Sequence, residues 1–280
     1  MYRGLIAVDL DGTLLQNDFS LTAKDKAAVK KAHEAGYMIA ICTGRSAHLV
    51  KRKVIDWDIA ECVNVAIGCN GAEYCDCFGD NEVEIIGYIT NAGVREVFEI
   101  MADVKEDYGF TWYSATDIYT SGKHERVTNM AKQMNLPITY FDRDKVTEVF
   151  PDKWPKAVFF FKNPNLRYIK DMIDSNKKEA YDMVFSLDII MEMIPQGINK
   201  GTALKEIAKR FDLAKADIMA IGDEENDREM LENSGFAVAM GNATESIKEI
   251  ADYITADCEN SGVAQAIEVF IKKNRESNIQ

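Results

Sequence analysis

Positive charge is scarce in this chain. Its 33 Lys and Arg are outnumbered by 46 Asp and Glu, leaving a formal net charge of −13. Nucleic acid and anionic membrane surfaces both call for basic patches, so neither is expected as a partner. Long apolar runs are missing as well, and no stretch approaches the roughly 18 residues that span a bilayer. Met1-Tyr2-Arg3-Gly4 runs straight into a core-like segment, which leaves no room for a signal peptide and makes a cytoplasmic location the expectation. In that compartment the six cysteines stay reduced. Cys75-Asp-Cys77, with Cys62 and Cys69, invites a zinc reading. The Cys-x-Cys spacing is short for such a site and the stretch contains no histidine, so Cys42 and Cys69 are expected as small core residues. Repeats and low-complexity tracts are absent. The chain does have 280 residues, 47% of them apolar, with three Trp and thirteen Phe. That is enough for one large or two ordinary domains with packed cores.

The most informative stretch is Leu5-Ile-Ala-Val-Asp9-Leu-Asp11-Gly12-Thr13. A short apolar run ending in turn chemistry suits a buried strand of a parallel sheet, and ligands bind at the carboxyl ends of such strands. Asp9 and Asp11, two residues apart, should face one site. Two close carboxylates repel, and a shared cation or proton relieves them. A surface acid pair and the metal-binding Asp-x-Asp of nucleotide-sugar transferases are the alternatives. The apolar strand before the pair and the Gly-Thr after it argue against both, leaving a magnesium-assisted active site.

Three further segments repeat the pattern. Ser20 is the N-cap expected for a helix that stops at Gly36, before the strand Tyr37–Cys42 and the turn Thr43-Gly44-Arg45. This βαβ unit places Thr43 on the same sheet edge as Asp9, where its hydroxyl and the amides opening the next helix could seat an anion; a helix cap is the plainer reading. Lys200 opens an amphipathic helix, where a cation opposes the helix dipole, and Gly197 and Gly201 flank it as if the backbone must approach something anionic. The strand Asp217–Gly222 ends in Asp223-Glu-Glu-Asn-Asp227. Asp223 is expected as a metal ligand, with Asn226 and Asp227 holding loop and site together; helix capping is the competing reading.

Together these segments resemble the four motifs of the haloacid dehalogenase superfamily, and more narrowly its Cof-type hydrolases, mostly magnesium-dependent phosphatases of sugar phosphates and small organophosphates. Asn70-Gly71-Ala72, Met240-Gly-Asn242-Ala, Ala251-Asp-Tyr-Ile-Thr255 and Gly262-Val-Ala264 are further marks of that group. The resemblance covers about residues 3–75 and 188–270. It implies that Asp9 is the nucleophile forming an aspartyl-phosphate and Asp11 the acid and then base. Mg2+ would lie between Asp9, the Asp11 carbonyl and Asp223, while Thr43, the amides of Gly44 and Leu10, Lys200 and Asn226 grip the phosphate and Asp227 supports the site. The implied substrate is a small phosphorylated metabolite. A phosphosugar mutase with the same nucleophile, and a non-catalytic regulator that binds a phospho-metabolite, are the alternatives.

About 150 residues separate Thr43 from Lys200, where a crossover needs about 30. Alternating segments in that interval suggest an inserted layer: an antiparallel sheet with helices on one face. The expected fold is α/β, a Rossmann-like core with a parallel sheet over 1–83 and 188–280, plus an inserted α+β cap over 84–187 that sets leaving-group specificity. Phe110, Trp112, Tyr113 and Tyr119 could face a substrate or pack in the cap core, and the same choice stands for His124 and Arg126. A monomer or a homodimer fits these features.

Overall fold

A computed structural model describes residues 2–79, 82–105, 107–113, 117–146, 152–162, 165–187 and 189–277. The chain divides into two compact units, one of Met1–Glu84 with Asn199–Gln280 and the other of Ile85–Ile198.

The first unit is built on an eight-stranded sheet. Its strands run in the order Tyr253–Ile254, Phe236–Ala239, Ile218–Gly222, Leu5–Val8, Met38–Cys42, Val65–Gly68, Glu73–Asp76 and Glu84–Ile85. The pairings from the first of these through Val65–Gly68 are parallel, and Glu73–Asp76 then returns antiparallel. Parallel sheets are covered on both faces, so their strands read as continuous apolar runs rather than alternating ones. Leu-Ile-Ala-Val, Met-Ile-Ala-Ile-Cys and Ile-Met-Ala-Ile-Gly are such runs, and every residue in them is buried. Cys42 and Cys69 are buried here too.

The first helix spans Ala23–Glu34, and its N-cap is Thr22 rather than Ser20. The Thr22 hydroxyl accepts from the Asp25 amide at 3.0 Å and donates to the Asp25 carboxylate at 2.7 Å, whereas Ser20 has Ala23, with no side-chain acceptor, three residues on. Gly36, at φ +91°, ends this segment in the left-handed region that glycine enters without a Cβ clash.

The second unit carries a six-stranded sheet in the order Tyr181–Leu187, Ile190–Pro195, Ala157–Phe161, Tyr108–Tyr113, Ile118–Thr120 and Ile138–Tyr140. All pairs are antiparallel except the last. Two sequence expectations change here. Helices cover both faces rather than one. Phe159 and Phe161 pack with Val94 and Val97 of helix Asn91–Ile100 and Ile169 and Ile173 of helix Leu166–Asn176, whereas Val158 and Phe160 pack with Val127 and Ala131 of helix Glu125–Met134. Successive residues of a strand point to opposite faces, so five consecutive buried residues over Ala157–Phe161 require cover on both sides. The second change concerns Ile190–Pro195. The expected core includes residues from 188 onward, but this strand pairs with Tyr181–Leu187 and Ala157–Phe161 and buries Met191 and Met193 in the second unit.

The aromatic cluster of this unit is core. Phe110 is fully buried against Phe98, Trp154 and Phe159, and Trp112 stacks on Tyr119 with ring centroids 5.3 Å apart. Tyr113 packs at the edge of the opposite cluster, His124 lies on Phe160, and Arg126 is exposed. We expect Phe110→Ala to destabilise this unit by about 3–5 kcal/mol, because so large a cavity collapses only partly. Urea unfolding followed by tryptophan fluorescence measures it, and a loss below about 1 kcal/mol would contradict this packing.

Candidate active site

Three parallel strands end at one rim of the first unit. Leu5–Val8 pairs with Met38–Cys42 on one side and Ile218–Gly222 on the other, with Val8 level with both Ile41 and Ile221. The residues that follow, Asp9, Thr43 and Asp223, therefore emerge together. The loop after Asp9 folds back on itself, the Asp9 and Leu10 carbonyls accepting from the Leu14 and Leu15 amides at 3.2 and 2.8 Å. Gly12 makes that loop possible. Its φ is +78°, and a Cβ there would stand 2.4 Å from an Asp223 carboxylate oxygen. Thr13 donates its hydroxyl to the same carboxylate at 2.9 Å.

Lys200 joins this rim from helix Lys200–Arg210. The helix is closed by a capping box in which Asn199 and Thr202 exchange side-chain-to-amide bonds of 2.8 and 3.0 Å. The Lys200 side chain is 1% exposed, and its Nζ donates to Asp9 Oδ1 and Asp227 Oδ1, each at 2.6 Å. Asp227 is fully buried. Its other oxygen accepts from the Asp223 and Glu224 amides at 2.9 and 3.2 Å. Gly222 leaves the space for it, since a Cβ at that position would lie 2.5 Å from the Asp227 side chain. The glycine after Lys200 has a different cause from the expected anion. A Cβ on Gly201 would sit 2.4 Å from the Glu229 carbonyl, so this glycine allows helix Lys200–Arg210 to approach helix Arg228–Glu232.

The electrostatics of the cluster are unbalanced. Asp9, Asp223 and Asp227 each present an oxygen within 4.8 Å of the others, all three are buried, and one ammonium stands against them. Burial pushes the Asp9 carboxyl well above the usual range, with Lys200 pulling it back and Asp227 adding to the rise. Asp223 is pushed up to about 7 by burial and then by the Asp227 charge. Burial also opposes the charged form of Lys200, but Asp227 and Asp9 outweigh it and hold the ammonium above the ordinary lysine range. With the three acids ionised and Lys200 charged, the cluster is two positive charges short. Mg2+ carries that charge and prefers carboxylate and carbonyl oxygens. Asp227 already engages Lys200 and two amides, so the donors that fit an ion are Asp9 and Asp223.

The remaining candidates fall into two groups. Asp11 does not join the carboxylate cluster through its side chain, which is about half exposed and forms a bidentate pair with Arg45, itself lying over the Phe19 ring. Thr43 is buried, and its hydroxyl accepts from the Arg45 amide at 3.2 Å. Gly44 stands beside Asn70, a Cβ on it coming 3.3 Å from Asn70 Oδ1, and the same oxygen accepts from Asn226 at 3.1 Å. The amide of Ala47, which opens the next helix, does not wait for an anion: the buried Glu73 carboxylate takes it at 2.7 Å.

The sequence names Asn242 only within a family mark and gives it no role, and Glu73 does not stand out in it at all. Asn242 Nδ2 donates to the Gly12 carbonyl at 2.8 Å and to Asp223 at 3.3 Å, stitching the first loop to that acid. Its position just past the strand Phe236–Ala239, at the carboxyl end of a parallel strand, is the signal that could have found it.

An α/β sheet that gathers three buried carboxylates and a buried lysine at its carboxyl rim fits a hydrolase of the phosphoryl-handling kind. The whole length of the chain agrees. Residues 6–267 match the family described as haloacid dehalogenase-like hydrolase, and the chain belongs to that family. It is 30% identical over 279 residues to the HMP-PP phosphatase of Yersinia pseudotuberculosis, covering 94% of this chain and 93% of that protein. It is 26% identical to the 5-amino-6-(5-phospho-D-ribitylamino)uracil phosphatase YwtE of Bacillus subtilis, with 95% and 97% covered. Among solved structures, a haloacid dehalogenase-like hydrolase from Bacteroides thetaiotaomicron shares the fold at a TM-score of 0.83, with 24% identity over 96% of this chain and 99% of that one.

We expect Lys200→Met to cost about 3–5 kcal/mol of stability near neutral pH, because it leaves buried carboxylates uncompensated. Chemical denaturation of the variant tests this, and an unchanged midpoint would show that Lys200 does not hold the cluster together.

Proposed function

We propose that this chain is a phosphoric monoester hydrolase that acts on small phosphorylated metabolites, uses Mg2+ and proceeds through an aspartyl-phosphate on Asp9. The observation that carries this reading is the Lys200 ammonium bonded at 2.6 Å to both Asp9 and Asp227 beside Asp223. The relatives named as phosphatases support the substrate class.

Asp9 attacks phosphorus with a carboxylate oxygen, the bond to the leaving oxygen breaks, and Asp11 delivers a proton to that oxygen. Asp11 then takes a proton from the water that attacks the phosphorylated Asp9, which releases inorganic phosphate and restores the carboxylate. Lys200 orients Asp9 before attack and, with Thr43, the Gly44 and Leu10 amides and Asn226, stabilises charge on the nonbridging oxygens. Both Asp11 oxygens accept from Arg45 in this structure, so Asp11 leaves that pair and takes up a proton before it acts as the acid. Asp9, Asp223 and the Asp11 carbonyl are the groups that would hold Mg2+. When bound, the ion supplies the positive charge that offsets repulsion between the Asp9 carboxylate and a phosphate dianion.

The inserted unit is the proposed cap that chooses the leaving group. Among the described residues no helix is long and apolar enough to cross a membrane. A cytoplasmic setting accords with six free cysteines.

Phosphate release from a panel of sugar phosphates and related monoesters, measured with Mg2+ and with a chelator, tests the function. Asp9→Asn should abolish turnover while circular dichroism stays unchanged, and substantial residual activity would remove the covalent route. Asp11→Asn should lower turnover by about 10²–10⁴ on ordinary esters and by less on activated aryl phosphates. Equal losses on both would deny it the role of leaving-group acid.

A further inference from the structure

Beyond the turn that carries Asp11, residues 16–20 hold an aromatic side chain in a conformation that its own burial does not explain. Phe19 has a φ of +65°, in the left-handed region that a bulky side chain seldom enters, and it is 47% exposed. Hydrogen bonds on both sides keep it there. Its amide donates to the Gln16 carbonyl at 2.9 Å, the Gln16 amide donates to the Ser20 carbonyl at 2.9 Å, and the Ser20 amide donates to Asp18 Oδ1 at 2.9 Å. Glu259, in the turn before helix Gly262–Ser277, accepts from the Asn17 amide at 2.8 Å and from Gln16 Nε2 at 2.9 Å. Backbone strain of this kind persists only where its surroundings over-determine it, and it gathers where function needs a side chain in one place.

That place is beneath a cation. The Arg45 guanidinium carbon lies 5.2 Å from the Phe19 ring centroid, within the reach of cation–π attraction. The Arg45 backbone is fixed independently, its amide donating to Thr43 Oγ1 at 3.2 Å and its carbonyl accepting from the Cys69 amide at 2.8 Å. The side chain therefore has two holds, the ring and the Asp11 carboxylate, whose oxygens take Nε at 2.8 Å and Nη2. The two holds differ in kind. A bidentate pair depends on particular N–H groups, whereas the ring draws on the charge of the whole guanidinium. They also differ in duty under the phosphatase reading, on which this inference rests: Asp11 has to leave Arg45, and Phe19 does not.

We propose that Phe19 is a positioning residue that retains Arg45 when Asp11 turns toward the leaving oxygen. Without the ring, the guanidinium travels with the carboxylate it is bonded to and keeps occupying the oxygens that must reach the leaving group. With the ring in place, Arg45 stays behind over Phe19 and is there to receive Asp11 again after turnover. Phe19 itself touches no reacting atom; it acts only through Arg45.

Phe19→Leu removes the ring while keeping the apolar bulk and the backbone strain, and Phe19→Trp puts back a ring that attracts cations at least as well. With Mg2+ present, kcat for phosphate release from an unactivated sugar phosphate should fall about three- to tenfold in Phe19→Leu, with KM unchanged, and recover in Phe19→Trp. Turnover of p-nitrophenyl phosphate, whose leaving group needs little help from an acid, should not change. In an Arg45→Met background, adding Phe19→Leu should cause no further loss. Equal losses on the two esters, no recovery in Phe19→Trp, or a full additional loss in Arg45→Met would overturn the proposal. A readout free of activity is the order parameter of the Arg45 Nε–H group from nitrogen-15 relaxation, which should fall in Phe19→Leu and hold in Phe19→Trp; an unchanged value in Phe19→Leu would contradict retention by the ring. Phosphate release from no ester by the unaltered chain would defeat the hydrolase reading as a whole, whereas activity indifferent to Phe19→Leu would defeat this inference alone.

Discussion

A single buried ammonium holds this site together. Lys200 reaches Asp9 from one strand end and Asp227 from another, at equal distances of 2.6 Å, with almost no contact with water. Removing an ammonium and two carboxylates from water costs several kcal/mol per ion unless the geometry is good and the remaining lone pairs are satisfied. Here the geometry is good and the satisfaction is uneven. Asp227 is saturated by Lys200 and two backbone amides, whereas Asp9 and Asp223 keep unused lone pairs and carboxyl groups pushed upward by burial. Such an arrangement is poor as a structural ion pair and accords with the cation-binding and phosphoryl-accepting roles proposed for Asp223 and Asp9. The imbalance of charge therefore belongs to function rather than to stability.

The backbone around that ammonium is shaped to keep the charges close. Gly12 lets the first loop pass beside Asp223, Gly222 makes room for Asp227, and Gly201 lets the lysine-bearing helix lie against its neighbour. Asn242 then ties the first loop to Asp223. Apart from Gly222 and Asp227, which share one loop, these contacts join segments distant in sequence. Positioning of this kind matters because a carboxylate is a weak nucleophile, and most of its acceleration has to come from orientation and preorganised charge.

Much of this could be read from the chain. Three apolar runs followed by acid, threonine or glycine announce parallel strands ending at a ligand-binding rim, and Lys200 at a helix start, against the dipole, marks it as engaged elsewhere. Pairings were less legible. Nothing local shows that Arg45 takes the Asp11 carboxylate, or that Glu73 rather than a ligand occupies the Ala47 amide, because both depend on which loops meet. Gly201 beside Lys200 suggests clearance for an anion, yet it clears a helix, since a missing Cβ looks the same in either case. The second unit was harder still. A strand buried on both faces, such as Ala157–Phe161, carries no alternation to reveal that helices cover both sides. Ile190–Pro195 reads as apolar whichever sheet receives it.

The covalent role of Asp9 is the central claim, and chemical trapping tests it most directly. Enzyme quenched with acid during turnover of an active phosphomonoester, then reduced with borohydride, converts an aspartyl-phosphate to homoserine. Peptide mapping should place homoserine at residue 9 alone, and only when substrate was present. Rapid phosphate release with no homoserine at that position, or with homoserine at another aspartate, would contradict it.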